Sequence, residues 1–382
     1  MPFVAENHGT SGPVHTSFNP SKMSIEDDII KACEEVSGLT KKPLDPWSGD
    51  HIGFFNTLGA VVRSGANRGK RSYAARGFIE ANKERPNLKV LCEALVNKVN
   101  LDGNKACGVN FTHGGRQYDI PARREIIVCG GTIQSPQILE LSGIGDPEVL
   151  QAAGVECKVE NRGVGANFQD HSLSVLLQEV KPGVITLDTL YQVPEAMQSA
   201  LKVYTETGGG PLSCIASTQG FFPFKLVASE EELQAVVQSI RDVKPTSEFH
   251  KQQLEQVVAH LQSDKSANLQ FVVVPATFNP ERGVQHQAEI FPPRPADKPA
   301  GVTFAICLQY PVSRGHIHIK SSGRRILENR TMHEGITSYS QIILQIQQSR
   351  QVFNRITFNT LQMLPSSLPV SAGWGDSHSQ SL

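Results

Sequence analysis

The chain has 382 residues, 39% hydrophobic and 19% charged, an ordinary balance for a folded protein and too apolar for a disordered one. Its 36 lysines and arginines nearly cancel its 37 aspartates and glutamates, leaving a net charge of −1 and no sign of the basic face that a nucleic-acid binder needs. No apolar run approaches the roughly 20 residues that span a bilayer, so no transmembrane segment is expected, and residues 1–20 hold no apolar leader.

Residues 1–80 are rich in glycine and proline and read as loops and short helices. A helix is predicted over 25–36, begun by Ser24, with acids in its first turn where they suit the positive helix end. Strands are predicted over 88–91, around 107–111 and, strongly apolar, over 125–129. A helix follows at once, and a second short one lies near 146–153. From about residue 176 the chain turns amphipathic. Ser229 and Glu232 have capping-box spacing and open a helix with Leu233, Val236, Val237 and Ile240 on one face. Leu254, Val257, Val258 and Leu261 repeat that spacing. Strands follow over 269–274 and 302–310, where Val302, Phe304, Ile306, Leu308 and Tyr310 alternate. The loop 278–299 between them is long and proline-rich, and residues 366–382 read as a frayed end. Mixed strands and helices without strict alternation give a fold class of α/β plus α+β.

The seven cysteines form no C-x-x-C pair and read as buried single thiols of a reducing compartment. As written, the chain fits a cytoplasmic protein. The sequons at Asn110 and Asn329 pull weakly the other way, towards a secreted parent.

The dense signal lies at 125–145, EIIVCGGTIQSPQILELSGIG. An apolar strand runs into Gly130-Gly131, whose backbone can take positive φ and lie bare against a ligand. Ser135 is placed to cap the next helix and Pro136 to occupy its first turn. N–H groups at such a helix start favour a phosphate or another anion. Ser142-Gly-Ile-Gly145 then closes the helix with a glycine-rich C-cap. The plain alternative is any strand–turn–helix of any α/β protein.

The spelling decides between them. Gly131-Thr132, two residues on Ser135-Pro136, then Ile138-Leu139 and Ser142-Gly-Ile-Gly145 resemble, position by position, the second signature of the glucose–methanol–choline (GMC) oxidoreductases. His8-Gly-Thr-Ser-Gly-Pro13, Arg71-Ser-Tyr-Ala-Ala75, 87–96, 163–171 and Pro311-Val-Ser-Arg-Gly315 resemble further blocks of that family in the same order. The resemblance implies a partial FAD-binding domain over 1–175, a substrate domain of sheet and amphipathic helices over 176–310, and a truncated C-terminal region over 311–382. It implies FAD as cofactor, with Val96 holding the adenine through its backbone and Gly130, Gly131 and Thr132 on the flavin side. It also implies a small-molecule alcohol as the partner, oxidised by hydride transfer to flavin.

Two parts of the family pattern are not found in these 382 residues: the G-x-G-x-x-G turn for the pyrophosphate and the C-terminal histidine block. Gly163-Val-Gly165 has Phe168 at the third position. The chain thus resembles the middle of a protein of roughly 600 residues by the family's usual size, no catalytic residue is assigned, and alone it is expected to be colourless, inactive and poorly soluble. The alternative is a non-redox, cyclase-like or inactive binding protein on the same scaffold. His316 and His318 alternate with Ile317 and Ile319 and read as a solvent-facing strand pair, without a third residue for a metal. Asp170-His171 reads as a structural turn, Thr207-Gly-Gly-Gly210 lacks the lysine of a phosphate loop, and Glu230, Glu231 and Glu232 read as first-turn acids.

Overall fold

A computed structural model describes residues 4–40 and 45–323. In chain order its main elements are α1 Ser24–Ser37, β1 Gly53–Asn56, β2 Leu95–Asp102, β3 Lys105–His113, β4 Arg116–Pro121, α2 Gly131–Leu141, β5 Ile144–Gly145, α3 Pro147–Ala152 and β6 Val159–Glu160. They continue with β7 Leu173–Glu179, α4 Leu187–Gln192, α5 Pro194–Thr207, β8 Thr218–Phe222, α6 Glu230–Arg241, α7 Glu248–Gln262, β9 Leu269–Val274, α8 Pro280–Gln285 and β10 Gly301–Leu308. Among the described residues, those up to 83 pack with 171–311 into one compact unit, and 84–170 with 312–323 into a second. This differs from a consecutive division at 175 and 310. β7 straddles residue 175 and pairs with β10, while β1, far upstream, joins the same sheet through β8. Composition along the chain does not register such a fold-back.

The first unit is built on an antiparallel sheet of order β1-β8-β9-β10-β7. Its register puts Phe54, Phe222, Leu269, Phe271, Val273, Phe304 and Ile306 on one face, and all are buried. Phe54 meets Phe271 edge-on and Phe271 stacks with Phe304, centroids 6.0 and 5.7 Å apart. Full burial of such a ring contributes about 1.5–3 kcal/mol. The other face is half-buried and carries a ladder of amides. Gln309 donates to Gln270 at 3.0 Å and Gln270 to Gln219 at 3.2 Å. β9, for which no alternation is predicted, buries every second residue, whereas β10, predicted to alternate, is buried on both faces over most of its length, at Gly301, Thr303 and Cys307 as well as at Val302, Phe304 and Ile306.

The amphipathic helices follow the expected faces. Ser229 Oγ accepts the Glu232 N–H and Glu232 returns a carboxylate to the Ser229 N–H, at 3.2 and 2.7 Å, closing the capping box of α6. Leu233, Val236, Val237 and Ile240 are buried, as are Leu254, Val257, Val258 and Leu261 of α7. At α1 the cap is Met23 rather than Ser24, and Glu26 reaches back to the Met23 N–H at 3.2 Å. The loop 278–299 contains α8. Gly208 and Gly210, both at positive φ, end α5, so the glycine run there is a helix stop.

The second unit holds the antiparallel sheet β2-β3-β4 and a small cluster of Leu150, Ala153 and Ile319. Two expected strands are absent from it. Residues 88–91 and 125–129 form no ladder among the described residues, although Val90, Leu91 and Ile127 are exposed apolar side chains and Ile127 is 74% exposed. An apolar run adopts strand geometry only where a neighbouring strand takes its N–H and C=O groups. Cys33 and Cys307 are buried as expected, but Cys92, Cys129 and Cys157 are exposed. Residues 324–382, including Asn329 and the segment 366–382, lie outside the described residues.

Candidate functional site: the helix start at Gly131

All four residues expected on the flavin side lie in the second unit. Val96 sits exposed on β2, the edge strand of its sheet, opposite Phe111. The register slips just after it, so Asn97 is an extra, bulged residue, and its amide closes the bulge on Asn110 Oδ1 at 2.7 Å and Thr112 Oγ1 at 3.2 Å. Gly130 is half-buried, and Gly131 and Thr132 are exposed.

The helix does not begin where the spelling suggested. α2 starts at Gly131, not after a turn, so Ser135 does not cap it and Pro136 lies inside it. The reason is local. Gly131 adopts φ +76°, which lets the chain bend directly from the extended segment into the first turn. Pro136 lacks the N–H that would donate to the Thr132 carbonyl in a regular turn. A Cβ added at Gly130 would come within 3.0 Å of backbone atoms of Gln134 and Ser135, whereas one at Gly131 would meet nothing within 4 Å. Gly131 therefore faces open space at the positive end of an 11-residue helix with no acid in its first turn.

The rest of the motif fixes this helix. Ser142 Oγ accepts the Val99 N–H at 2.8 Å, joining the C-terminal end of α2 to β2. Gly143, at φ +85°, accepts Lys158 and Val159 through its carbonyl, and a Cβ there would lie 2.6 Å from the Glu156 carbonyl oxygen. Asp146 caps α3 through the Glu148 N–H at 2.9 Å. Arg162 forks onto Asp146, Glu148 and Glu160; Asp146 first, then the Glu160 and Glu148 contacts, hold its guanidinium pKa above the usual value.

Two residues that sequence reasoning did not connect support α2 from below. Glu140, fully buried, accepts the Ile319 N–H at 2.8 Å and meets His318 Nδ1 at 2.6 Å. His318 stacks on His316, centroids 5.0 Å apart. Of the expected solvent-facing strand pair, His316 is exposed, whereas His318 is half-buried because a buried carboxylate claims it, and neither lies on a strand. Gly165 shares this knot, since a Cβ there would lie 2.6 Å from His318 Nδ1. Among the described residues no group of three His, Cys, Asp or Glu could hold a metal ion. No described helix is long and apolar enough to cross a membrane.

The architecture resembles solved flavoenzymes. An FAD-dependent oxidoreductase from Chaetomium thermophilum matches 98% of this chain and 62% of its own, with a TM-score of 0.76 at 19% identity. A fungal aryl-alcohol oxidase matches 95% and 59%, with a TM-score of 0.72 at 16% identity. At these identities the likeness defines the fold. Residues 9–173 match the family model of the GMC oxidoreductases. Dehydrogenases of Monascus purpureus (mpl7) and Monascus ruber (citC) are each 36% identical over 334 residues, 84% of this chain. An oxygen-dependent choline dehydrogenase of Staphylococcus saprophyticus is 37% identical over 170 residues, 44% of this chain and 29% of its own. The chain spans 53% of the length of the two Monascus relatives.

Proposed function

We propose that the protein is an FAD-dependent oxidoreductase that oxidises an alcohol of a small organic molecule, with a role in secondary metabolism. The observation that carries this reading is the bare, exposed Gly131 at the start of α2, inside the stretch that matches the family. FAD, when bound, supplies the acceptor for a hydride from the substrate carbon. The chain's own part is binding. Exposed N–H groups at the helix start, without a competing acid, favour an anionic group of the cofactor. The open space at Gly131 lets that group approach the backbone, and the exposed edge strand at Val96 offers main-chain partners to a heterocycle. The relatives named for choline and aryl-alcohol chemistry support an alcohol substrate.

The test is a titration of the purified 382-residue chain with FAD, read by flavin fluorescence. The expected result is a colourless protein that takes up FAD weakly and saturably. Gly131→Val, which forces a branched side chain into positive φ, and Thr132→Glu, which sets an acid at the helix start, each weaken uptake at least about tenfold. No saturable uptake, or uptake indifferent to both substitutions, overturns the reading. Turnover of an alcohol panel with a dye acceptor, using the product of the complete gene, then identifies the substrate class.

A further inference from the structure

The sheet β2-β3-β4 has two edges, and they are finished differently. β2 slips in register after Val96 and again after Asn100, and its Val99 N–H is taken by Ser142 Oγ. Bulges and α2 thus interrupt that edge. β4 pairs with β3 without a slip, and all of its residues are exposed. An unbroken open edge is a template for another strand.

The ladder decides which groups this edge offers. Ala122 donates its N–H to the Cys107 carbonyl at 2.8 Å, so by alternation Ile120 and Tyr118 bond inward to Val109 and Phe111. Gln117 and Asp119 therefore turn their N–H and C=O groups outward. Asp119 Oδ1 accepts Asn100 and Asn110, at 2.6 and 3.0 Å, while Oδ2 has no donor among the described residues. Those two amides, Asn100 first, hold the carboxyl pKa below the usual aspartate value, so Asp119 stands at the edge as an anion.

We propose that β4 pairs antiparallel with β4 of a second copy of this chain, about a two-fold axis through Tyr118. In this register Gln117 lies opposite Asp119 of the partner subunit and the reverse, so the outward backbone groups exchange hydrogen bonds and each amide meets a carboxylate. The Phe111–Tyr118 stack, 5.5 Å between centroids, continues through Tyr118 of the partner subunit. Sliding the pairing two residues one way sets Asp119 against itself and brings Pro121, which has no N–H, opposite Gln117. Sliding it the other way pairs Gln117 with itself and leaves Asp119 facing Gly115. So short an interface buries less than the roughly 1,000 Å² of a stable complex, and the dimer is a reversible one.

The test is sedimentation of the 382-residue chain over a concentration series, without FAD. Gln117→Pro removes only an outward N–H, which an edge strand tolerates, and leaves the bonds to β3 in place. For cross-linking, the chain carries Cys92→Ser, Cys129→Ser and Cys157→Ser to remove its exposed thiols. In that background Tyr118→Cys faces its own copy at a Cα separation of about 4.5 Å, within disulfide reach, whereas Gln117→Cys meets its copy diagonally, roughly 7–8 Å away. The expected result is a monomer–dimer equilibrium that Gln117→Pro weakens about tenfold. Tyr118→Cys forms a disulfide dimer faster than Gln117→Cys, and the Gln117 and Asp119 amides of the parent gain protection from hydrogen exchange as concentration rises. If a variant fails to fold, the exchange of the parent chain still decides. The proposal is overturned if the chain stays monomeric, if those amides gain no protection, or if association is indifferent to Gln117→Pro. Equal cross-linking rates at positions 117 and 118 also overturn it.

Discussion

The two units of the chain satisfy their apolar residues in opposite ways. In the first, five strands close one face over Phe54, Phe222, Phe271 and Phe304, all drawn from the unit's own residues. In the second, the three strands β2-β3-β4 bury little beyond Val99 and Phe111, β4 is exposed throughout, and Val90, Leu91, Leu95 and Ile127 stand in the open. The difference is between a sheet whose hydrophobic face is covered and apolar segments whose partners are not among the described residues. Apolar spelling alone does not separate the two cases. A neighbour does.

Substitutions probe that contrast directly. Phe271→Ala removes a ring packed between Phe54 and Phe304 and is expected to cost about 3–5 kcal/mol in urea unfolding, the largest effect in the molecule. Glu140→Ala leaves the Ile319 N–H and His318 without their buried acceptor, at an expected cost of about 1–3 kcal/mol confined to the second unit. Hydrogen exchange localises it: Ile319 and α2 lose protection, while β9 keeps its own. Ser229→Ala opens the capping box of α6 for about 1 kcal/mol.

Smaller still is a pH effect at Glu26. Burial raises its carboxyl pKa, and Asp27 adds to this, against the lowering by the Met23 N–H, Lys22 and Thr218. A raised acid favours its neutral form in the fold, so its contribution is full at low pH and is lost as pH climbs through the folded pKa. Glu26→Gln is therefore expected to raise the melting temperature at pH 8 relative to the parent, with the difference vanishing near pH 4. Last, Ile127→Ser on the exposed segment should stay within about 0.5 kcal/mol. If it costs as much as Phe271→Ala, the contrast between the units is wrong.

What the sequence made legible follows the same line. α6 and α7 were readable because each carries its periodic face within one segment, and the structure buries those residues as spelled. Gly130, Gly131 and Thr132 were readable as a motif, although the helix begins earlier than Ser135 and Pro136 suggested, because one positive φ replaced a whole turn. Residues 88–91 and 125–129 misled, since strand pairing is a property of two segments. Glu140 and His318 were out of reach, being 178 positions apart, with nothing in either neighbourhood to announce the other.

The place of β10 in its sheet also sets a timetable. Gly301–Leu308 pairs with β9 on one side and β7 on the other, so the last of the unit's described strands to leave the ribosome is an interior one. Until it emerges, β7 and β9 each present an open edge, and the aromatic face waits for Phe304. Strand addition at such edges is the ordinary route to mispairing between nascent chains. A translating ribosome that pauses before codon 301 would hold the polypeptide at its most adhesive stage, and chaperone occupancy should fall once that strand is released.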